Sequence, residues 1–90
     1  MFETITNEVR EFIIANFLFG QRENLDDHRS FLESGIIDST GLLELVAHLE
    51  QQYDIAIADR ELLPENLDSL ANVSRFVSRK LEAKEARVAG

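Results

Sequence analysis

The sequence predicts an all-α fold, a small three-to-four-helix bundle with a long first loop. Three observations carry that reading. Apolar residues recur at helical spacing in three separate stretches, residues 4–17, 38–53 and 68–83. A long polar connection, residues 21–37, separates the first stretch from the second. The chain has 90 residues and 44% hydrophobic content, enough to bury one core and too short for two domains. No internal repeat is visible.

In the first stretch Ile5, Val9, Phe12, Ile13 and Phe17 share one face, while Glu8, Arg10 and Glu11 lie on others. Phe19-Gly20 reads as its end, because glycine readily takes the left-handed cap. The connection opens on polar residues (Gln21, Arg22, Glu23, Asn24, Asp26, Asp27, His28), and Phe31 and Leu32 are its expected apolar anchors. Ser30 and Glu33 have the spacing of a capping box, so a single helical turn is expected there. Asp38 is a good N-cap for the second long helix, whose stripe is Leu42, Val46, Leu49 and Tyr53, widened by Leu43 and Leu45.

Asp54-Ile55-Ala56-Ile57 reads as a short extended piece. Residues 59–63 follow as one helical turn, stopped by Pro64. The last helix begins near Asp68 and buries Leu70, Val73, Phe76, Val77 and Leu81. Residues 1–83 are therefore expected to form the domain, and 84–90, which show no apolar period, a frayed tail.

The formal net charge is −8, from 17 acidic and 9 basic side chains. Such a field repels phosphate backbones and argues against nucleic acid as a partner. It favours proteins with basic patches, although acid also serves plain solubility. The apolar runs are too short to span a bilayer, and the acidic start Met1-Phe2-Glu3 is unlike a signal peptide, so a cytoplasmic protein is expected. With no cysteine there is no disulfide, thiolate nucleophile or Cys-based zinc site. Any thiol the protein uses must be added after translation.

Reactive constellations are scarce. His28 and His48 are far apart, without ligand-spaced partners, so structural or solvated roles are expected and no metal site. No Gly-rich phosphate loop exists, and no pair of carboxylates stands out for acid–base work. The chain is not expected to be an enzyme. Ser39 remains, one residue past the N-cap Asp38 and shortly after Gly35. A phosphodiester there would sit at a helix N-terminus, where free N–H groups and the dipole favour negative charge. Seen in isolation, an Asp-Ser pair before an apolar helix is a capping site far more often than a modification site.

The surrounding residues add a resemblance. The run Phe31-Leu32-Glu33-Ser34-Gly35-Ile36-Ile37-Asp38-Ser39 resembles the approach to the prosthetic-group serine of acyl carrier proteins. Residues 43–57 look like that family's second helix and the step after it, and 64–73 like the approach to its last helix. The likeness covers residues 5–81. It implies a bundle of acyl-carrier type and a covalent 4'-phosphopantetheine, moved from coenzyme A onto Ser39 by a phosphopantetheinyl transferase. The arm's thiol would hold acyl intermediates as thioesters, and the helices would part slightly to shelter an apolar chain. Partners are then an acyl- or aminoacyl-activating ligase, a synthase or an acyltransferase whose basic patch docks on the acidic second helix. By position Asp38 and Glu44 match the recognition acids, with Glu50 further along, and Leu42 would lie close to the arm; Glu44 and Glu50 could equally form a solvated helix face. The carrier is expected to be a monomer, although Phe17-Leu18-Phe19 could expose apolar surface.

Two departures stand out. Thr40 follows the serine where the family usually has Leu or Met, and Gly41 stands where an acid is common. Gly41 lowers helix propensity by about 1 kcal/mol relative to Ala and is read as removing a charge from the recognition face. Together they suggest a specialised carrier rather than the housekeeping carrier of fatty acid biosynthesis. A second Asp-Ser pair, Asp68-Ser69, lacks the preceding Gly and the acidic helix, and suits an ordinary N-cap. The alternatives are an aminoacyl or peptidyl carrier loaded by an adenylating ligase and, in another class, an unmodified helical adaptor.

Overall fold

A computed structural model describes residues 2–18 and 25–89, with side chains described over 3–18 and 25–85. The expected cap at Phe19-Gly20 and the polar residues Gln21, Arg22, Glu23 and Asn24 lie outside the described residues. Three long helices carry the fold: α1 (Phe2–Phe17), α3 (Ser39–Tyr53) and α5 (Leu70–Ala89). Two single turns, α2 (Phe31–Ser34) and α4 (Pro64–Leu67), and a 3-10 turn (Asp59–Glu61) lie between them. Among the described residues there is no strand, and the bundle is all-helical as the apolar periodicity predicts.

α1 and α5 form the most extensive pairing, and α5 also packs against α3 and α4. Ile5, Val9 and Ile13 of α1 meet Leu70, Val73, Phe76 and Val77 of α5 in one buried cluster with Leu45 and Leu49 of α3. One polar contact crosses this core. Thr6 Oγ1 donates to Ser74 Oγ at 2.6 Å, and Ser74 Oγ donates to the Leu70 carbonyl at 2.8 Å. The bond keeps a buried hydroxyl pair satisfied where leaving it unpaired would be costly.

Four expectations are corrected. Leu43 does not widen the buried stripe: it is 60% exposed, because the row facing the core is Gly41, Leu45 and Leu49. Leu32 is 42% exposed, so Phe31 alone is the fully buried anchor of the first loop. The turn before Pro64 ends at Glu61 rather than Leu63, and Pro64 starts α4 instead, with its ring at the first helical position where no N–H is needed. The last helix continues past Ala83 to Ala89, and Lys84 from this extension reaches back to Asp54.

The long first loop is held largely by backbone and polar bonds. Phe31 N–H donates to the Asp68 carbonyl at 2.8 Å and Leu32 N–H to Asp68 Oδ1 at 2.9 Å. Ala71 N–H donates to the Asp27 carbonyl at 2.8 Å, and the Asp27 carboxylate pairs with Arg10 of α1 at 2.5 Å. These contacts tie the loop to the start of α5 and fix where α3 begins.

Candidate functional site

The site is built at the junction of α2 and α3. Ser30 caps α2, its Oγ accepting the Glu33 N–H at 3.1 Å, and the same hydroxyl donates to Asp68 Oδ2. Gly35 ends the turn in the left-handed region, φ 78°, which an L side chain rarely adopts. Ile37 then buries fully and sets the chain direction into α3. Asp38 is extended and caps α3, with Oδ1 accepting the Gly41 N–H at 2.7 Å.

Ser39 is the first residue of α3 and is exposed. Among the described residues, no side chain or backbone group bonds to its Oγ. Asp38 occupies the Gly41 amide. The N–H groups of Ser39 and Thr40 have no intrahelical partner, as in any first turn. An anion carried by the Ser39 hydroxyl would thus meet unspent amide donors and the positive end of a 15-residue helix.

Ser69 is in a different situation. It is 5% exposed, and its Oγ accepts the Asn72 N–H at 3.1 Å, the cap its sequence suggested. A bulky substituent on that hydroxyl would have to break the cap and open the start of α5.

The other candidate residues fall into two groups. Asp38 and Glu44 are exposed on the outer side of α3 with Thr40 and Leu43. Leu42 is half-buried and lines an apolar cavity of about 220 Å³ with Leu32, Leu62, Leu63, Pro64 and Leu67. Glu50 is half-buried and bonded within the fold: its Oε2 accepts the Ile57 N–H at 2.9 Å. Gly41 is buried and faces Phe17 and Ile37, so it removes no charge from an outward face, and that expectation is corrected.

His28 is exposed, and its backbone N–H donates to Asp26 Oδ1 at 2.8 Å. His48 stacks on Phe12 with ring centroids 3.8 Å apart and planes 11° from parallel. Burial holds the His48 imidazole below its ordinary range, partly offset by the nearby Glu8 carboxylate. Its neighbour Tyr53 donates to Glu8 Oε1 at 2.7 Å, and burial together with that bond pushes the phenol well above its ordinary value. The sequence gave no sign of this α1–α3 seam, because stacking across two helices leaves no local pattern. Among the described residues no cluster of His, Asp and Glu could hold a metal ion.

Comparison with known proteins agrees with this architecture. Residues 14–77 match the family described as "Phosphopantetheine attachment site". The chain is 30% identical over 67 residues to "Probable acyl carrier protein PigG" of Serratia sp. (strain ATCC 39006), covering 74% of this chain and 77% of that one. It is 33% identical over 72 residues to "Acyl carrier protein homolog" of Mycoplasmopsis pulmonis (strain UAB CTIP), covering 80% and 94%. Among solved structures, a chain described under "Crystal structure of FAD-dependent dehydrogenase" superposes with TM-score 0.68 at 33% identity, over 77% of this chain and 97% of that one. The chain belongs to the phosphopantetheine attachment family, among the acyl carrier proteins.

It is a carrier of acyl intermediates with covalent 4'-phosphopantetheine as its prosthetic group. That group supplies the thiol that a sequence without cysteine lacks. Carrier domains of this family are generally non-catalytic and work by meeting partner enzymes. No described helix is long and apolar enough to cross a membrane.

Proposed function

We propose that Ser39 is the residue that carries the arm. A phosphopantetheinyl transferase forms a bond between Ser39 Oγ and the β-phosphorus of coenzyme A. The pyrophosphate linkage breaks, adenosine 3',5'-bisphosphate leaves, and the hydroxyl proton passes to a base of the transferase. The observation that carries this reading is the contrast between the two Asp-Ser pairs. The Ser39 hydroxyl is exposed at the mouth of α3, whereas that of Ser69 is buried and bonded to Asn72.

The thioester then rides on the arm while partners read the outer side of α3 through Asp38 and Glu44. The cavity beside Leu42 offers shelter to the first apolar carbons of the cargo. The test is intact mass after co-expression with a broad-specificity phosphopantetheinyl transferase. Wild type and Ser69→Ala should gain one phosphopantetheine, and Ser39→Ala none. A modified Ser39→Ala variant would overturn the assignment.

The chain serves a dedicated set of enzymes rather than general fatty acid biosynthesis. With Gly41 turned inward, that proposal rests on Thr40, exposed beside Ser39 where the family usually has a large apolar residue. Wild type should be a poor substrate for general fatty-acid synthase components, and Thr40→Leu a better one. Equal activity of the two would count against it.

A second reading keeps the same serine and changes the cargo to an aminoacyl group loaded by an adenylating ligase. Incubating holo protein with amino acids and with acyl adenylate donors, each with its ligase, separates the two readings by the mass gained.

A further inference from the structure

Basic side chains are few in this chain, and several are consumed in ion pairs. Arg10 pairs with Asp27 at 2.5 Å, Lys80 with Glu61 at 2.9 Å and Lys84 with Asp54 at 2.7 Å. Arg75 and Arg79 differ. Both are exposed on α5, and among the described residues no carboxylate pairs with either. Arg29 and Arg60 make no ion pair among the described residues either, but they sit on separate elements, and Arg60 lies near the Glu61 carboxylate.

Each of the two α5 arginines is held by a neutral amide instead. Arg75 Nη2 donates to Asn72 Oδ1 at 2.6 Å, and Arg79 Nη2 to Asn66 Oδ1 at 3.3 Å. Both asparagines are themselves tethered to backbone. Asn72 Nδ2 donates to the Pro64 carbonyl at 3.2 Å, and Asn66 Nδ2 to the Glu61 carbonyl at 2.9 Å. The guanidinium groups are therefore positioned without being neutralised, and each keeps most of its N–H donors. One helical turn separates them, roughly 5–6 Å at the Cβ atoms.

We propose that this face of α5 is a second docking surface, taking an acidic protein segment that presents two carboxylates a helical turn apart. The planar fork of arginine matches a carboxylate with two parallel bonds, and part of the entropy of ordering these side chains has already been lost to the asparagines. A polyanion is the poorer fit. The chain carries a net charge of −8, and exposed Glu65 and Glu82 lie on α4 and α5 near the arginine rows. That field opposes a nucleic acid or an anionic membrane while leaving a short pairwise contact intact. The face is opposite in sign to the side of α3 that carries Asp38 and Glu44. A partner that binds α5 is therefore opposite in charge to one that reads α3. The inference does not depend on which serine bears the arm.

The test is an NMR titration of the full chain at low salt with an alanine-based helical peptide carrying Glu pairs at i and i+4. A Gln-substituted peptide and phosphatidylglycerol vesicles serve as the other two arms. Saturable shifts are expected at Asn66, Asn72, Arg75 and Arg79 with the Glu peptide only. Arg75→Gln/Arg79→Gln should weaken binding about fivefold, and Arg75→Lys/Arg79→Lys by less. The thermal midpoints of these exposed variants serve as the folding control. Asp38→Asn/Glu44→Gln should bind the peptide as well as wild type or better. Absence of saturation, equal shifts with the Gln peptide or vesicles, or indifference to the Gln variants would each overturn the proposal.

Discussion

Gly41 and Phe17 meet so closely that a β-carbon on Gly41 would stand 2.7 Å from Phe17 Cε1, with Ile37 Cγ2 at 3.1 Å. Glycine in a helix costs about 1 kcal/mol against alanine, so the contact must be worth more than that. Forcing an extra methyl into a packed site costs about 1–3 kcal/mol. Gly41→Ala is therefore expected to lower stability by about 1 kcal/mol in urea unfolding followed by circular dichroism. In a Phe17→Ala background the tightest contact is gone while Ile37 Cγ2 at 3.1 Å and Asp38 Oδ1 at 3.3 Å remain, so the same change should cost less than in wild type. If Gly41→Ala stabilises both backgrounds alike, the ring does not constrain this position.

Asp68 joins the long loop to the start of α5. Its two carboxylate oxygens take the Leu32 N–H and the Ser30 hydroxyl, and its carbonyl takes the Phe31 N–H. Asp68→Ala leaves the Ser30 hydroxyl without its acceptor in a partly buried position and gives the exposed Leu32 N–H to solvent. A loss of about 1–3 kcal/mol follows from the cost of unsatisfied donors. Amide exchange should speed up across residues 30–34 more than in α1. Uniform protection in the variant would count against this role.

The stacked pair Phe12 and His48 makes stability depend on pH. Burial lowers the folded-state pKa of His48 below its ordinary 6.5. Between those two values the unfolded chain binds more protons, so stability rises with pH there. The contribution is fully present above pH 6.5 and is lost as pH falls through the folded pKa. Asp54 and Glu61, both lowered chiefly by hydrogen bonds from lysines, act in a separate window, beginning to lose their contribution near their ordinary values of 3.8 and 4.5. His48→Gln should flatten the pH dependence just below 6.5 and leave the more acidic part unchanged. A titration midpoint at or above the ordinary value, read from the imidazole proton shifts, would falsify the buried-neutral assignment.

Much of the fold could be read in the sequence because helical periodicity and caps are local. Asp38, Ser30 and Ser69 all cap as their positions suggest, each accepting the amide three residues ahead. The two errors on α3, at Gly41 and Leu43, have one origin. Within 41–49 most residues are apolar or small, so hydrophobicity alone did not choose a face. At about 100° per residue Leu43 is turned about 200° from both Gly41 and Leu45, and the core takes the row those two occupy. The bonds from Asp68 to the first loop span more than thirty residues and follow no period, so no pattern announced them. At the site, context favours Ser39 over Ser69 in the sequence. The difference in their burial, on which the proposed assignment rests, appears only once α5 is packed.

The extension of α5 beyond Ala83 meets the body of the protein through Lys84, whose Nζ donates to both the Asp54 carbonyl at 2.8 Å and Asp54 Oδ2 at 2.7 Å. Asp54 ends α3 in the left-handed region, φ 52°, which Asp tolerates better than most side chains. Truncation after Ala83 should move the Asp54 carboxyl pKa back up towards its ordinary 3.8, while truncation after Glu85 leaves it low. Carboxyl carbon shifts followed against pH read this directly. An Asp54 pKa unchanged by the shorter truncation would show that Lys84 does not hold it.

Glu44 and Glu50 lie on the same helix and should behave oppositely. Glu44 is exposed, and among the described residues nothing bonds to it, so its charge is available to a partner's basic patch. Glu50 accepts the Ile57 N–H at 2.9 Å, and its carbonyl takes the Ile55 N–H at 3.3 Å, holding the chain as it leaves α3. Glu44→Gln should leave the thermal midpoint unchanged and raise the transferase KM a few-fold, because exposed charges act mainly on encounter. Glu50→Gln should weaken a charge-assisted bond, at a cost of about 1 kcal/mol, with little change in KM. Glu50→Ala, which removes the acceptor, should cost more. If Glu50→Gln instead raises KM at unchanged stability, its carboxylate is read by the partner and the bond to Ile57 is incidental.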